Sequence, residues 1–262
     1  AGDPVSSLTR PGRSAEPLRT PTPPGEAAAY RRLARFVGAM LRAISNEEWD
    51  DASSLPVTGG ALVVSNHVSY LDVPVVGRYL IWSGRWPRYM GKAELWRIPG
   101  LGRLARLCRQ IPVERGTDRA KDALVPALAA LAAGEVVAIY PEGGRTHDPD
   151  LWPQRGRTGV ARMALATQVP VIPVAHWGTH EIMPGRKLRF PRLRPKRTIA
   201  VVSGPAVDLS DLYDRRDEPD VLRVATDRIM AAVTGLVETL RGEQAPADVW
   251  DNKLGARVPR AF

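Results

Sequence analysis

The sequence predicts an α/β fold: a central mixed, largely parallel sheet flanked by helices and preceded by an N-terminal amphipathic helix. Three observations carry this. Short apolar, β-branched runs stand at 61–65 (ALVVS), 135–140 (EVVAIY), 169–175 (VPVIPVA) and 198–203 (TIAVVS), the pattern of buried strands. Helical stretches at 70–81, 118–133 and 156–167 lie between them, and such alternation favours strands covered by helices. The chain has 262 residues, enough for one large α/β domain or two small ones, and 50–241 holds neither an internal repeat nor a domain linker.

Residues 1–25 mix Pro, Ser, Thr, Gly and Arg without apolar periodicity and are expected to be a disordered tail. From Ala27 the pattern changes. Tyr30, Leu33, Phe36, Val37, Met40, Leu41 and Ile44 recur on one helical face, with Arg31, Arg32, Arg35 and Arg42 opposite. We assign 26–48 to an amphipathic, membrane-facing helix; docking of the same stripe on the protein's own core is the alternative. A helix over 70–81 should begin near Ser69, because Ser69 followed by Asp72 resembles a capping box. Pro126 should kink or divide the helix over 118–133. Residues 219–241 form the clearest late helix, with Leu222, Ala225, Ile229, Val233, Leu236 and Leu240 on one face. The tail 242–262 is expected to be loosely held.

With 44% hydrophobic and 25% charged residues the chain has an ordinary globular balance. Its 37 Lys and Arg against 28 Asp and Glu leave +9, which points to an anionic partner: nucleic acid, an acidic membrane face or a phosphorylated substrate. Cys108 is the only cysteine, so an internal disulfide and a multi-cysteine metal site are both excluded and a reducing compartment is expected. No apolar run reaches membrane-spanning length, and no secretory signal pattern opens the sequence.

One histidine has a context that prescribes a role. His67 follows the strand ALVVS in Ser65-Asn66-His67-Val68-Ser69-Tyr70-Leu71-Asp72. A strand-to-helix turn can bring the Asp72 carboxylate back to the imidazole, fixing its tautomer and leaving the other ring nitrogen as a base. A capped helix beside an incidental histidine is the alternative. Tyr140-Pro141-Glu142-Gly143-Gly144-Arg145 ends a strand with glycines that permit close backbone approach and an arginine fork suited to phosphate. Arg109-Gln110-Ile111-Pro112-Val113-Glu114-Arg115 is an extended stub ending in another arginine.

The remaining candidates read as structural. Cys108 has no histidine near it in sequence and is expected to be a buried thiol. His176 and His180 share an i, i+4 spacing, but the Trp177-Gly178 between them argues against a helical metal pair. His147 is expected to be solvent-exposed. The strip 185–197 (GRKLRFPRLRPKR) interleaves seven cations with Leu188, Phe190 and Leu193, suiting anionic lipid or a solvated hairpin. One phenylalanine is a poor stacking platform for bases and no nucleic-acid motif accompanies it, so no nucleic acid is expected, a basic nucleic-acid-binding protein being the rival reading.

Taken together, Asn66-His67-(x4)-Asp72, Ile111-Pro112-Val113-Glu114-Arg115, Pro141-Glu142-Gly143-Gly144-Arg145 and Val171-Ile172-Pro173-Val174 resemble the four successive blocks of the glycerolipid acyltransferases typified by 1-acylglycerol-3-phosphate acyltransferase. Gly91-Lys92-Ala93-Glu94-Leu95 and Ile98-Pro99-Gly100-Leu101-Gly102 resemble further family segments, so the likeness covers roughly 50–205 and makes 50–241 the acyltransferase domain. The resemblance implies that His67 is the general base and Asp72 its orienting partner. It also implies that Lys92, Arg115 and Arg145 hold the acceptor's phosphate, that Glu142 and Gly143 shape the floor of the site, and that 171–174 line a channel. Two positions depart from the family pattern: Gly144 replaces a usual threonine, and Arg109 stands where a small residue is common. By the same resemblance the reaction moves a fatty acyl group from acyl-CoA or acyl carrier protein to the hydroxyl of a phosphorylated lysolipid, or of glycerol 3-phosphate, without metal or cofactor. The enzyme would work as a peripheral or monotopic protein on an anionic membrane surface, at the cytoplasmic face.

Overall fold

A computed structural model describes residues 27–113, 124–184, 190–216 and 220–260, together with Leu8 and Glu218. The elements in chain order are α1 (Ala27–Ile44), β1 (Ser45–Trp49), β2 (Ala61–Ser65), α2 (Asp72–Trp82), β3 (Pro87–Lys92), a 3-10 turn (Ala93–Arg97), α3 (Leu101–Leu107) and β4 (Ile111–Val113). They continue with α4 (Val125–Ala132), β5 (Val136–Ile139), α5 (Gly159–Thr167), β6 (Val171–Trp177), α6 (Thr179–Ile182), β7 (Arg197–Ser203), α7 (Val221–Arg241), β8 (Asp248–Asp251) and β9 (Ala256–Pro259). Strands β1–β7 form one sheet in the order β1-β7-β6-β2-β5-β3-β4. Pairing is parallel from β6 to β4; β7 runs antiparallel to β6 and parallel to β1. The predicted mixed, largely parallel sheet is therefore present.

Both faces of the sheet are covered, which explains the continuous apolar runs. In β2, Leu62 and Val64 join α4, α5 and α7 in one core, while Ala61 and Val63 join α1, α2 and Ile182 of α6 in the other. Residues 171–174 are buried in the same way. They fill the sheet's two hydrophobic layers, so the expectation that they line a channel is corrected.

Four further expectations are revised. The first helix ends at Ile44, and 45–48 belong to β1. The pair Glu47-Glu48 suits a helix locally, but Glu47 is buried against Arg78 of α2 at 2.9 Å, and pairing with β7 fixes the extended backbone. The apolar stripe of α1 is also spent inside the protein: Leu41 is fully buried, and Val37, Met40 and Ile44 pack on the core of α2, while Phe36 stands out at 68% exposure. Most of the stripe thus docks on the protein's own core, the alternative reading of the helix. Pro126 occupies the first turn of α4, where its missing N–H costs nothing, so it starts the helix rather than kinking it; 118–123 lie outside the described residues.

The C-terminal segment, expected to be loose, forms the β8–β9 hairpin. Arg257 grips the buried Asp148 carboxylate with two bonds of 2.8 Å, Arg155 pairs with Asp251 at 2.8 Å, and the Arg155 N–H donates to the Trp250 carbonyl. Strand β3 escapes the sequence reading because its PRYMGK residues carry no apolar run. Polar contacts hold it: Arg88 to Glu135 at 2.7 Å, and the Tyr89 N–H to the Gln110 side chain at 2.6 Å.

Candidate active site

The site forms at the carboxyl ends of adjacent strands β2 and β5, where open α/β sheets bind ligands. After β2 the chain turns sharply, and Asp72, at the start of α2, folds back over the turn. Its Oδ2 accepts hydrogen bonds from the Val68 N–H (2.6 Å), the Ser69 N–H (2.7 Å) and His67 Nδ1 (2.7 Å). The capping box is half realised: Asp72 reaches back to Ser69, while the Ser69 hydroxyl accepts from the Leu71 N–H and donates to the Met183 carbonyl. Because the carboxylate only accepts, Nδ1 carries the proton and Nε2 keeps its lone pair. Asp72 is completely buried, whereas the His67 side chain remains 15% exposed.

From the far side, Thr179 Oγ1 of α6 donates to Asp72 Oδ1 at 2.6 Å. His176, fully buried on β6, lies 3.6 Å from the same oxygen and donates Nε2–H to the Asn66 carbonyl at 2.9 Å. Asn66 in turn bridges β2 to β6, its amide donating to the His176 carbonyl and its Oδ1 accepting the His176 N–H. Burial opposes ionisation of Asp72, but the adjoining His176 imidazole and the bonds from His67 and Thr179 outweigh it and hold the carboxyl below its usual range. Burial lowers His176 despite the opposing pull of Asp72.

The second loop comes from β5. Tyr140 stacks on His67 with centroids 4.3 Å apart, and Tyr89 stacks behind Tyr140. Burial raises both phenols well above their usual range, so they are neutral plates against the imidazole. Glu142 is buried, and its oxygens accept the His67 N–H at 2.8 Å and the Gln154 N–H at 3.1 Å. Burial pushes its carboxyl well above the ordinary range, only partly countered by those two N–H groups. Glu142 therefore braces the His67 turn from beneath, a place in the floor of the site. Gly143 has φ +77°, and a Cβ there would fall 2.3 Å from Arg157 Nε. The positive φ calls for glycine, and any Cβ would also have to displace the Arg157 side chain.

Arg145 is turned toward the histidine loop, its guanidinium 3.6 Å from the centre of the Tyr70 ring. Lys92 ends β3, with its amine exposed and 3.6 Å from Glu94. Arg115 lies outside the described residues. His147 is half-buried rather than exposed, because Gln154 Oε1 accepts its N–H. Cys108 is buried, as expected of a structural thiol. Among the described residues no group of three or more His, Cys, Asp or Glu is placed to hold a metal. Sequence reasoning gave Tyr70, Tyr140 and His176 no part in the site and passed over Thr179 altogether. Tyr70 and Tyr140 sit inside the motifs already singled out; Thr179 is 107 positions from Asp72 and left no local signal.

A family model described as Acyltransferase matches residues 48–177, which span both loops and the strand bearing His176. The 1-acyl-sn-glycerol-3-phosphate acyltransferase of Bacillus subtilis is 30% identical over 152 residues, covering 57% of this chain and 71% of that one. The chain belongs to this acyltransferase family. A chloroplast 1-acyl-sn-glycerol-3-phosphate acyltransferase of Brassica napus is 32% identical over 122 residues, a match spanning 46% of this chain and 34% of the plant protein's length. The crystal structure of the 1-acyl-sn-glycerophosphate acyltransferase PlsC of Thermotoga maritima shares the fold, with a TM-score of 0.63 over 84% of each chain at 24% identity.

Proposed function

We propose that this protein transfers a fatty acyl group from an acyl thioester to the free hydroxyl of a 1-acylglycerol 3-phosphate, forming phosphatidic acid for phospholipid synthesis. The observation that carries the reading is the 2.7 Å bond between His67 Nδ1 and an Asp72 carboxylate whose oxygens are otherwise taken by three protein donors. Held in this way, Nε2 of His67 accepts the acceptor hydroxyl's proton as the oxygen attacks the thioester carbonyl. The C–S bond breaks, and the imidazolium returns the proton to the departing thiolate. The reaction passes through a ternary complex without an acyl-enzyme.

Arg145 and Lys92, at the same sheet edge, hold the acceptor's phosphate. The names of the Bacillus and Brassica relatives support the lysophosphatidate acceptor. Acyl-CoA is the donor we favour, and the enzyme works as a peripheral protein at the cytoplasmic membrane face; among the described residues no helix is long and apolar enough to cross a membrane.

The test is transfer from radiolabelled acyl-CoA to 1-acylglycerol 3-phosphate, glycerol 3-phosphate and unphosphorylated monoacylglycerol. The phosphorylated lysolipid should be the best acceptor. His67→Ala should lower turnover about 10²–10⁴-fold while the chain still unfolds in one cooperative transition, its midpoint lowered by the donor that Asp72 loses. A fully active His67→Ala enzyme, or no transfer to any phosphorylated acceptor, refutes the proposal.

A further inference from the structure

Among the described residues, little covers the crossover between β3 and β4. Neither the 3-10 turn 93–97 nor α3 buries any residue except Gly102. Yet the segment carries four large aliphatic side chains in ten residues: Leu95, Ile98, Leu101 and Leu104 are 37–48% exposed. Around them stand Lys92, Arg97, Arg103 and Arg106, all exposed, with Glu94 the only acid from 92 to 106.

The unit is built rather than frayed. A Cβ at Gly102 would lie 2.1 Å from the Trp96 carbonyl oxygen, and one at Gly91 would lie 3.2 Å from the Trp96 ring. The two glycines thus let α3 and β3 close on Trp96, and the leucines are left outside by construction.

Sheet register places this surface. Val64 pairs with Ile139, and Tyr89 with Ala138, so Met90 stands level with Ile139. Three residues further along each strand come His67, Glu142 and Ala93, so the turn leaves the sheet at the same edge as the histidine.

We infer that the surface of 95–104 is where the protein docks on a bilayer containing anionic phospholipid. Hydrocarbon takes up the four aliphatic side chains while phosphates meet the surrounding cations, and the acceptor lipid then meets His67 at the same edge. That last step rests on the acyltransfer reading; the docking itself does not. In α1, by contrast, Leu41 is fully buried and Val37, Met40 and Ile44 pack on the core, leaving Phe36 as its exposed large apolar side chain.

Sedimentation of the full chain with phosphatidylcholine vesicles, with and without phosphatidylglycerol, tests the surface. The parent should bind the phosphatidylglycerol vesicles. Both Leu101→Glu/Leu104→Glu and Arg97→Glu/Arg103→Glu should weaken binding about tenfold or more, while Phe36→Glu in α1 should leave it unchanged. Ile98→Ser, a smaller change at an exposed side chain, replaces the leucine pair if that variant fails to fold, and should also weaken binding. Binding of the surface variants equal to the parent's, absence of parent binding, or loss confined to Phe36→Glu overturns the inference. The surface variants should retain turnover on monomeric short-chain substrates. A parent that binds through 95–104 but transfers no acyl group refutes the acyltransfer reading alone.

Discussion

Asp72 takes four hydrogen bonds on two oxygens without contact with solvent, and that concentration sets the local energetics. A hydrogen bond to a charged group contributes about 1.5–3 kcal/mol, and a buried carboxylate losing a donor bears the desolvation cost directly. Thr179→Val should therefore lower kcat roughly tenfold with KM little changed, because the side chain acts through Asp72 and touches no substrate. Thr179→Ser, which restores the hydroxyl, should recover the rate; steady-state kinetics of the pair decides, and an unchanged kcat in the valine variant removes Thr179 from the positioning network. Asp72→Asn should cost on the order of 10³–10⁴-fold in kcat, since an amide in that place cannot accept from all the donors now facing it. His67 and Asp72 were legible in sequence because the turn joining them is local. Thr179 and His176 were not, since each reaches Asp72 from an element more than a hundred positions away.

Among the elements, the contrast between two glycines gives a direct test of packing. Gly102→Ala places a methyl 2.1 Å from a backbone oxygen, so α3 must move off the 3-10 turn; about 1–3 kcal/mol of stability should be lost, read from the denaturant midpoint. A Cβ at Gly144 would meet no neighbouring atom within 4 Å, so Gly144→Thr should change stability by less than about 0.5 kcal/mol. Equal effects at the two sites would contradict this account of the crossover. The sequence-derived elements that held were those with strong apolar patterns, such as β2, β5 and α7. The helix expected over 26–48 stops at Ile44, where the apolar stripe ends, and the Arg78 pair with Glu47 and the pairing with β7 make 45–49 a strand. Strand β3 was invisible because its anchoring lies in polar partners on Glu135 and Gln110.

Over the molecule as a whole, buried histidines couple stability to pH. His180 is packed 4.3 Å from Trp177, and burial lowers its pKa; Glu181 and Asp72 pull it upward, His176 and Arg241 downward. With the folded pKa below the unfolded value of about 6.5, the unfolded chain takes up the proton first on acidification. Stability from the neutral ring is complete above that value and is lost as pH falls through it toward the folded pKa. Glu142 has the opposite sign: its raised carboxyl contributes stability that is full below the unfolded value of about 4.3 and is lost as pH rises through the folded one. The measurement is therefore a difference: between about pH 7.5 and 5.5 the parent should lose unfolding free energy more steeply than His180→Gln. Parallel slopes would show that His180 does not contribute.

The α/β class, the order of the main elements and the turn carrying His67 and Asp72 follow from the residues alone, because each depends on side-chain periodicity or on neighbours a few positions apart. Long-range packing settles the rest: that α1 turns most of its apolar stripe inward, that Glu142 braces the turn from beneath, and that 248–259 fold as a hairpin on Asp148. One cause underlies all three. Burial and the pairing of buried charge are set by contacts between distant segments, and a local pattern states only that a face is apolar, not what will cover it.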